Sequence, residues 1–269
     1  MEIIIPPMMN VHVLVSCRSP EMQRTSTLVF DTIRTGFPNC EIHVWDNHNT
    51  IINVKEITKH LDVKHHHIQE LGTIFMMKHW DWIRNLVDEE RGNFCIVDTD
   101  VIFFDSVEKH LMDANLIGEY IPTFYDQLTK LWHIERLHTA VMMINSTELK
   151  RIEGNANKDR PPTVAPFDLI NPRAIMFRGS GQYYDTMANA YHSMNGFKNF
   201  PKDRQGILRE FVHLHCGSWM DYVERLSPSI HENLRKKQAR VIEDPEKNYV
   251  DFRKELIKFY ETQGAYNYS

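Results

Sequence analysis

The spacing of apolar and polar residues in the first part of the chain predicts a strand, a helix and a second strand. Residues 11–16 form a short β-rich run, and residues 21–34 carry apolar side chains at helical spacing until Gly36 and Pro38 interrupt it. Residues 41–45 then alternate as a strand does. Strand, helix and strand within this length are typical of a βαβ unit, which favours an α/β fold with parallel strands.

The middle of the chain predicts one more helix and several buried strands. Residues 74–90 place apolar side chains on one helical face and end at Gly92. The next run, residues 93–97, is almost wholly apolar, as in a parallel strand that is buried on both faces. Further strands are predicted over residues 101–104, 116–121, 139–145 and 211–215.

Polar segments and a charged tail complete the pattern. Residues 148–166 are polar and include a Pro-Pro pair, which predicts a mobile loop that we expect to close as a lid over a ligand. A helix is predicted over residues 184–194. The last residues are charged and helical in pattern. We therefore expect one α/β domain over residues 1–225 and a helical C-terminal extension over residues 226–269, packed on that domain.

Composition places the chain among ordinary globular proteins. Of its 269 residues, 42% are hydrophobic and 25% are charged, which argues against disordered, collagen-like and coiled-coil classes. The 31 basic and 36 acidic side chains argue against a surface wrapped in nucleic acid. The start MEIIIPPMMN has no basic region of a secretory signal, and no apolar run reaches the length of a membrane span. We expect a cytoplasmic protein with no membrane partner.

Two aspartates interrupt the longest apolar run, CIVDTDVIFF over residues 95–104. Asp98 and Asp100 are two positions apart, so in a strand their side chains point the same way and can converge. Ionised carboxylates among apolar residues cost several kcal/mol unless something compensates their charge. A divalent cation, Mn²⁺ or Mg²⁺, would do so. The alternative is a turn at a strand end, in which Asp98 caps the backbone and Asp100 faces solvent.

This segment resembles the DxD motif of nucleotide-sugar glycosyltransferases of the GT-A fold, with Asp98, Thr99 and Asp100 at its positions. The resemblance implies a Rossmann-like, mainly parallel central sheet flanked by helices. It also implies transfer of a hexosyl or pentosyl group from a nucleotide-diphosphate sugar, most often a UDP-sugar. In the family the first Asp often contacts the ribose or the sugar, and the second ligates the metal.

Residues 16–47 are similar to the start of many such enzymes. In these enzymes a strand ends in a small polar residue. An Arg comes next, then a helix, and then a strand that ends in Asp-Asn. This similarity implies that Ser16 and Arg18 lie near the nucleotide and that Asp46 approaches the base. Without the resemblance, Asp46 is a turn residue after a strand.

Residues 213–219, HLHCGSW, resemble a late His-containing motif of several retaining families. There a His supplies a metal ligand, and a Gly-Ser backbone meets the diphosphate. Either His213 or His215 fits, because both lie on one face of the predicted strand. A His in a strand is otherwise an ordinary core residue, and the Trp either stacks on the sugar or packs. The other implied donor-binding residues are Gly217, Ser218 and Trp219.

Residues 182–192 resemble the acidic helix start on the acceptor side of these enzymes, which implies that Asp185 faces the donor sugar or the acceptor. In an inverting enzyme Asp185 would be the general base, whereas in a retaining enzyme the leaving phosphate takes the proton. Without the resemblance, Asp185 is interpreted as an ordinary N-cap or first-turn residue of the predicted helix.

Several alternatives stay open. The acceptor hydroxyl belongs to a glycan, a small molecule or a hydroxymethylated base of DNA, and a basic excess over residues 225–258 suits a phosphate-rich acceptor or a solvated helix face. A metal-dependent nucleotidyltransferase or phosphohydrolase also uses paired aspartates. A catalytically silent module that binds sugar nucleotides is the third class. The chain contains no GxxxxGK[ST], HExxH or GxSxG pattern.

Overall fold

The computed structural model describes residues 9–17, 20–111, 114–126, 129–177, 180–204, 207–215, 223–225 and 227–262. The first part of the chain alternates strands and helices. Its elements are β1 (Asn10–Val15), α1 (Pro20–Gly36), β2 (Glu41–Asp46), α2 (Val54–Ile57), β3 (Lys64–His67), α3 (His79–Glu89) and β4 (Asn93–Val97). Strand β1 pairs in parallel with β2 and β4, and β2 pairs in parallel with β3. The predicted βαβ unit and the buried strand over 93–97 are confirmed.

The second part adds an antiparallel strand and two smaller sheets. Its elements are β5 (Val101–Phe103), β6 (Leu116–Ile121), β7 (Phe124–Asp126), β8 (Leu131–His133), β9 (Arg136–Asn145), α4 (Ser146–Asn157), β10 (Arg173–Phe177), β11 (Ser180–Tyr184), α5 (Ala188–Ser193), β12 (Phe197–Asn199), β13 (Phe211–His213), α6 (Pro228–Glu243) and α7 (Pro245–Thr262). Strand β9 is antiparallel to both β4 and β6. The central sheet has seven strands in the order β12-β6-β9-β4-β1-β2-β3, and the small sheets are β10-β11-β8-β7 and β13-β5.

This architecture confirms the expected fold class, a mixed α/β fold with a mainly parallel central sheet flanked by helices and a helical C-terminal region. Alternate residues of each strand point to opposite faces of the sheet. Val13 packs with Phe30 of α1 in one buried cluster, and Leu14 packs with Trp82 and Leu86 of α3 in another. The sheet is therefore buried on both faces, as an α/β sheet requires.

The C-terminal helices close a third buried cluster. Leu234 of α6 and Phe252 of α7 pack there with Ile102 of β5 and Ile121 of β6. Across the described ranges, every helix is too short or too polar to cross a lipid bilayer.

Helix α3 begins at His79, five residues later than the pattern predicts. Two polar contacts hold the preceding segment out of the helix. The Thr73 hydroxyl donates to the Phe75 carbonyl at 3.1 Å, and the Met77 N–H donates to Asn47 Oδ1 at 2.8 Å. Side-chain hydrogen bonds of this kind compete with helical ones, so Phe75 is 73% exposed instead of lying on a helix face.

The prediction of a loop over residues 148–166 is wrong for the first part of that range. Helix α4 runs from Ser146 to Asn157, and Asn145 caps it by accepting from the Glu148 N–H at 3.0 Å. Leu149 anchors the helix in the core. The polar composition misled the prediction, since an N-cap and one buried side chain suffice to fix an exposed helix on a packed surface.

The helix predicted over 184–194 is also shorter. Strand β11 extends through Tyr184, and α5 begins only at Ala188. Met187 precedes α5 with φ of 65°, in the left-handed region. Asp185 therefore lies in the strand-to-helix connection and does not cap the helix.

Candidate functional site

The predicted polar residues gather at the carboxyl ends of the parallel strands. Ser16 follows β1, Asp46 ends β2 and Asp98 follows β4, and these strands are neighbours in the sheet. In open α/β sheets the crevice outside these strand ends is where ligands bind. The topology therefore brings the three residues to one edge although they are far apart in sequence.

Two carboxylates and an imidazole meet at this edge. Strand β13 pairs with β5 so that His213 lies opposite Val101, one residue after Asp100. The His213 Nε2 is 3.0 Å from Asp100 Oδ1. One ligand atom from each of Asp98, Asp100 and His213 lies within 4.8 Å of the others. Two carboxylate oxygens and one imidazole nitrogen form a donor set that suits Mn²⁺ or Mg²⁺.

The electrostatics of this group favour a bound cation. Burial raises the pKa of Asp98, and the nearby Asp100 carboxylate adds to that effect. Burial disfavours the His213 imidazolium, but the Asp100 and Asp98 carboxylates outweigh burial and raise the pKa of His213. His79, at the start of α3, brings its Nε2 to 3.5 Å from Asp98 Oδ1. Positive charge is thus stabilised at this point, which is what a cation site requires.

His215 does not lie in the carboxylate group. It belongs to a second group of metal-ligand type with His213 and His138, whose ligand atoms lie within 4.8 Å of one another. Burial lowers the pKa of His215 well below its ordinary value. Burial, with His213 and Arg136 nearby, lowers the pKa of His138 to about 3. Both rings are therefore neutral near pH 7.

At the ends of β1 and β2, asparagines organise the edge. The buried Asn47 donates from Nδ2 to Ser16 Oγ at 2.7 Å and to the Met77 carbonyl at 2.9 Å. Asp46 Oδ1 accepts from the Asn49 side chain at 2.7 Å and from the Asn49 N–H at 2.9 Å. One Asp46 oxygen thus fixes the turn that follows β2, as the turn interpretation of Asp46 requires.

Asp185 forms an ion pair with Arg136 of β9, whose Nη2 lies 2.7 Å from Asp185 Oδ2. Its other oxygen, Oδ1, accepts from the Thr186 N–H at 2.8 Å. Burial alone would raise the pKa of Asp185, but Arg136 and this N–H hold it below its ordinary value. An ionised carboxylate of this kind is a weak base near pH 7 and a good hydrogen-bond acceptor.

Of the remaining predicted residues, the structure describes only Thr99. Thr99 lies between the two aspartates and is buried. Four residues lie outside the described ranges, namely Arg18, Gly217, Ser218 and Trp219.

Four residues of the site were not predicted, namely Asn47, His79, Arg136 and His138. Asn47 was visible in the Asp-Asn pair after β2, but only as part of a motif. His79 reaches the site because α3 begins there, and Arg136 and His138 reach it through the register of β9. Local periodicity predicts neither the start of α3 nor the register of β9.

No family model matches the chain, and no curated protein matches it. Among solved structures, it is similar to the galactosyltransferase LgtC in complex with donor and acceptor sugar analogs, at 11% identity over 78% of this chain and 88% of that one, with a TM-score of 0.44. The glycosyltransferase GlyE of Streptococcus pneumoniae TIGR4 is 9% identical over 71% of this chain and 45% of its own, with a TM-score of 0.39. The bifunctional glycosyltransferase WbbM is 9% identical over 58% and 34%, with a TM-score of 0.36.

Proposed function

We propose that this protein is a glycosyltransferase that moves a hexosyl or pentosyl group from a nucleotide-diphosphate sugar, with UDP as the favoured nucleotide, to an acceptor hydroxyl. The convergence of Asp98, Asp100 and His213 at the carboxyl edge of the sheet is the observation that carries the proposal. A hard cation bound by carboxylates at a strand end is suited to a diphosphate.

The residues of this group would hold the cation as follows. Asp98 and Asp100 supply carboxylate oxygens, and His213 supplies an imidazole nitrogen. When bound, the cation neutralises the negative charge that develops on the leaving diphosphate. His79 adds a further imidazole beside Asp98, with Nε2 at 3.5 Å from Asp98 Oδ1.

The donor nucleotide is proposed to lie along the ends of β1 and β2. Ser16 and Asp46 border this edge, and Asn47 holds the two strand ends together through Ser16. Arg18, Gly217, Ser218 and Trp219 are proposed as further donor contacts, on the strength of the resemblance alone. Because these contacts are polar and the sheet beneath is rigid, the donor would be held in one orientation.

On the acceptor side, Asp185 is proposed to accept hydrogen bonds from sugar or acceptor hydroxyls. Arg136 and Thr186 keep its carboxylate ionised and oriented. Its lowered pKa keeps the carboxylate ionised and able to accept such hydrogen bonds. On the resemblance of residues 213–219 to retaining families, we propose a retaining reaction in which the leaving phosphate takes the acceptor proton. The acceptor is a hydroxyl of a glycan, a small molecule or a modified DNA base.

A donor panel tests the proposal without knowledge of the acceptor. Release of free nucleotide is measured from UDP-, GDP-, ADP- and dTDP-sugars with Mn²⁺, with Mg²⁺ and with EDTA, for the wild type, Asp100→Asn and Asp105→Asn. Asp105 is exposed and follows β5, so it is a matched control. We expect metal-dependent release from one donor, lowered about 100-fold or more by Asp100→Asn only, because a metal ligand matters at least as much as its supporting residues.

Other outcomes identify the alternatives. Release of inorganic phosphate or of a nucleoside monophosphate would indicate a phosphohydrolase or nucleotidyltransferase. Binding of a sugar nucleotide in EDTA, with no release under any condition, would indicate a silent module and refute the proposal.

A further inference from the structure

Three histidines form a cluster beside the carboxylate pair that the proposed function does not use as a unit. The rings of His138 and His213 have centroids 4.7 Å apart, and those of His213 and His215 are 4.0 Å apart. The centroids of His138 and His215 are 5.5 Å apart. Each ring offers one nitrogen, and these three nitrogens lie within 4.8 Å of one another.

Long-range pairing, and not sequence proximity, brings His138 to this cluster. The Asp98 N–H donates to the Ala140 carbonyl at 2.8 Å, so β9 continues past the end of β4 and carries His138 beyond it. His138 pairs in register with Glu119 of β6, on the other side of β9. The cluster therefore stands where the central sheet and the β5–β13 ribbon meet.

His215 adopts a backbone conformation that is rare for its residue type. Its φ is 55°, in the left-handed region, where a residue with a Cβ carries a conformational cost of about 1–2 kcal/mol. The Leu214 N–H donates to the Asp100 carbonyl at 2.8 Å and fixes the chain just before it. This conformation lets His215 approach His213 although the two are separated by one residue only.

The two ring nitrogens of His213 have different surroundings. Nε2 is 3.0 Å from Asp100 Oδ1, whereas Nδ1 is buried and has no hydrogen-bond partner among the described residues. A carboxylate that binds one nitrogen of a histidine while the other nitrogen ligates a metal is a recurrent arrangement in metalloproteins. The buried Nδ1 is thus accounted for if a cation lies among the three rings.

The neighbouring arginines do not oppose such a cation strongly. Arg136 and Arg253 both act on His215, but each is paired with a carboxylate, Arg136 with Asp185 and Arg253 with Glu119. The surrounding charge is therefore balanced before a metal arrives.

We propose that His138, His213 and His215 bind a transition-metal ion of the Zn²⁺ or Co²⁺ class, at a position next to the carboxylate pair. Three imidazole nitrogens suit such ions, whereas Mg²⁺ prefers oxygen ligands. Asp100 then orients His213 toward this site. Because the two groups share His213, this ring ligates only one ion at a time. The proposal concerns metal binding alone and stands independently of sugar transfer.

The experiment is a Co²⁺ titration of the chelator-treated full chain, followed by visible absorption and then by displacement with Zn²⁺. The variants are His138→Gln and His215→Gln, which change the histidine cluster only, and Asp98→Asn, which changes the carboxylate group only. His60→Gln is the control, because His60 is exposed and lies outside both groups. Circular dichroism verifies the fold of each variant.

We expect one Co²⁺ with a nitrogen-ligand spectrum, resistant to millimolar Mg²⁺ and displaced by Zn²⁺. His138→Gln and His215→Gln should each weaken Co²⁺ binding by about 100-fold or more, whereas Asp98→Asn and His60→Gln should leave it within about twofold. Binding that is unchanged in a folded His138→Gln or His215→Gln variant overturns the proposal, and so does loss of binding in Asp98→Asn alone. Since no sugar nucleotide is present, neither result depends on the proposed reaction.

Discussion

A buried ion pair connects the C-terminal helix to the central sheet, and removing one partner should destabilise the whole protein. Arg253 of α7 donates from Nη1 to Glu119 Oε2 at 3.2 Å and from Nη2 to Glu119 Oε1. The two side chains are only 1% and 3% exposed. Glu119→Gln keeps the shape of the residue and removes its charge, so the Arg253 guanidinium stays buried without its counter-ion.

The size of the effect follows from that burial. Breaking a buried pair by removing one partner costs about 3–5 kcal/mol, because the remaining charge is uncompensated. For a protein of this size that corresponds to a fall in Tm of about 6–20 °C. An exposed pair is the matched control: Lys236 Nζ lies 2.6 Å from Glu232 Oε1 on the surface of α6. Glu232→Gln should leave the stability almost unchanged, because water screens an exposed pair.

Urea unfolding followed by circular dichroism measures the stability of Glu119→Gln and Glu232→Gln. Adding Arg253→Met and the double variant Glu119→Gln/Arg253→Met completes a double-mutant cycle for the buried pair. The double variant should recover part of the loss, since the Arg253 guanidinium no longer stays buried without the Glu119 carboxylate. A Glu119→Gln variant as stable as Glu232→Gln would refute this account of the tail as an integral part of the fold.

The pair also predicts a pH dependence. Burial alone would raise the pKa of Glu119, but Arg253 outweighs it and lowers the pKa from 4.5 to about 2. A lowered carboxyl pKa contributes stability that is present above the unfolded-state value and lost as the pH falls through the folded-state value. The stability difference between wild type and Glu119→Gln should therefore be constant above pH 5 and shrink below pH 4.5. A difference that stays constant down to pH 2.5 would contradict the assignment.

Three further changes test other parts of the structure. Gly36→Ala should lower the free energy of unfolding by about 1–3 kcal/mol, because an added Cβ would lie 2.7 Å from Phe103 Cγ. Gly154→Ala in α4 is the control: its added Cβ meets nothing within 4 Å, so this variant should be more stable than the wild type by about 0.5–1 kcal/mol. Thermal unfolding measures both. Equal effects of the two alanines would contradict this packing. Arg136→Met should raise the pKa of Asp185 in a ¹³C carboxyl titration, since burial then acts without the arginine, and an unchanged value would exclude the ion pair. EDTA should lower the Tm of the wild type purified with Mn²⁺ more than that of Asp98→Asn, because both proteins keep the histidine cluster but only the wild type retains the carboxylate cation site. Equal shifts would contradict a cation at the carboxylates.

The βαβ start of the fold was predictable because local periodicity decides it. Val13 and Leu14 alternate between the two sheet faces, and Phe30 lies on the core face of α1, so strand and helix patterns agree with the final packing. The convergence of Asp98 and Asp100 was predicted from strand geometry, but β4 ends at Val97 and β5 begins at Val101, so a turn between the two strands brings the carboxylates together.

The parts that escaped prediction depend on contacts between distant segments. Helix α3 begins late because Asn47 binds Met77, thirty residues further along the chain. His138 joins the site through the register of β9 against β4 and β6, which a single sequence does not specify. The position of Asp185 outside α5 depends on the length of β11, which in turn depends on its pairing with β10 and β8.

The central claim is that Asp98 and Asp100 hold a cation which in turn holds a nucleoside diphosphate. Isothermal titration of UDP and GDP into the protein, with Mn²⁺ and with EDTA, tests it in the wild type, Asp98→Asn, Asp100→Asn and the control Asp105→Asn. We expect Mn²⁺ to tighten binding of one nucleotide at least about tenfold in the wild type and in Asp105→Asn, and to have no effect in the other two variants. Equal nucleotide affinity with Mn²⁺ and with EDTA in the wild type would contradict the account.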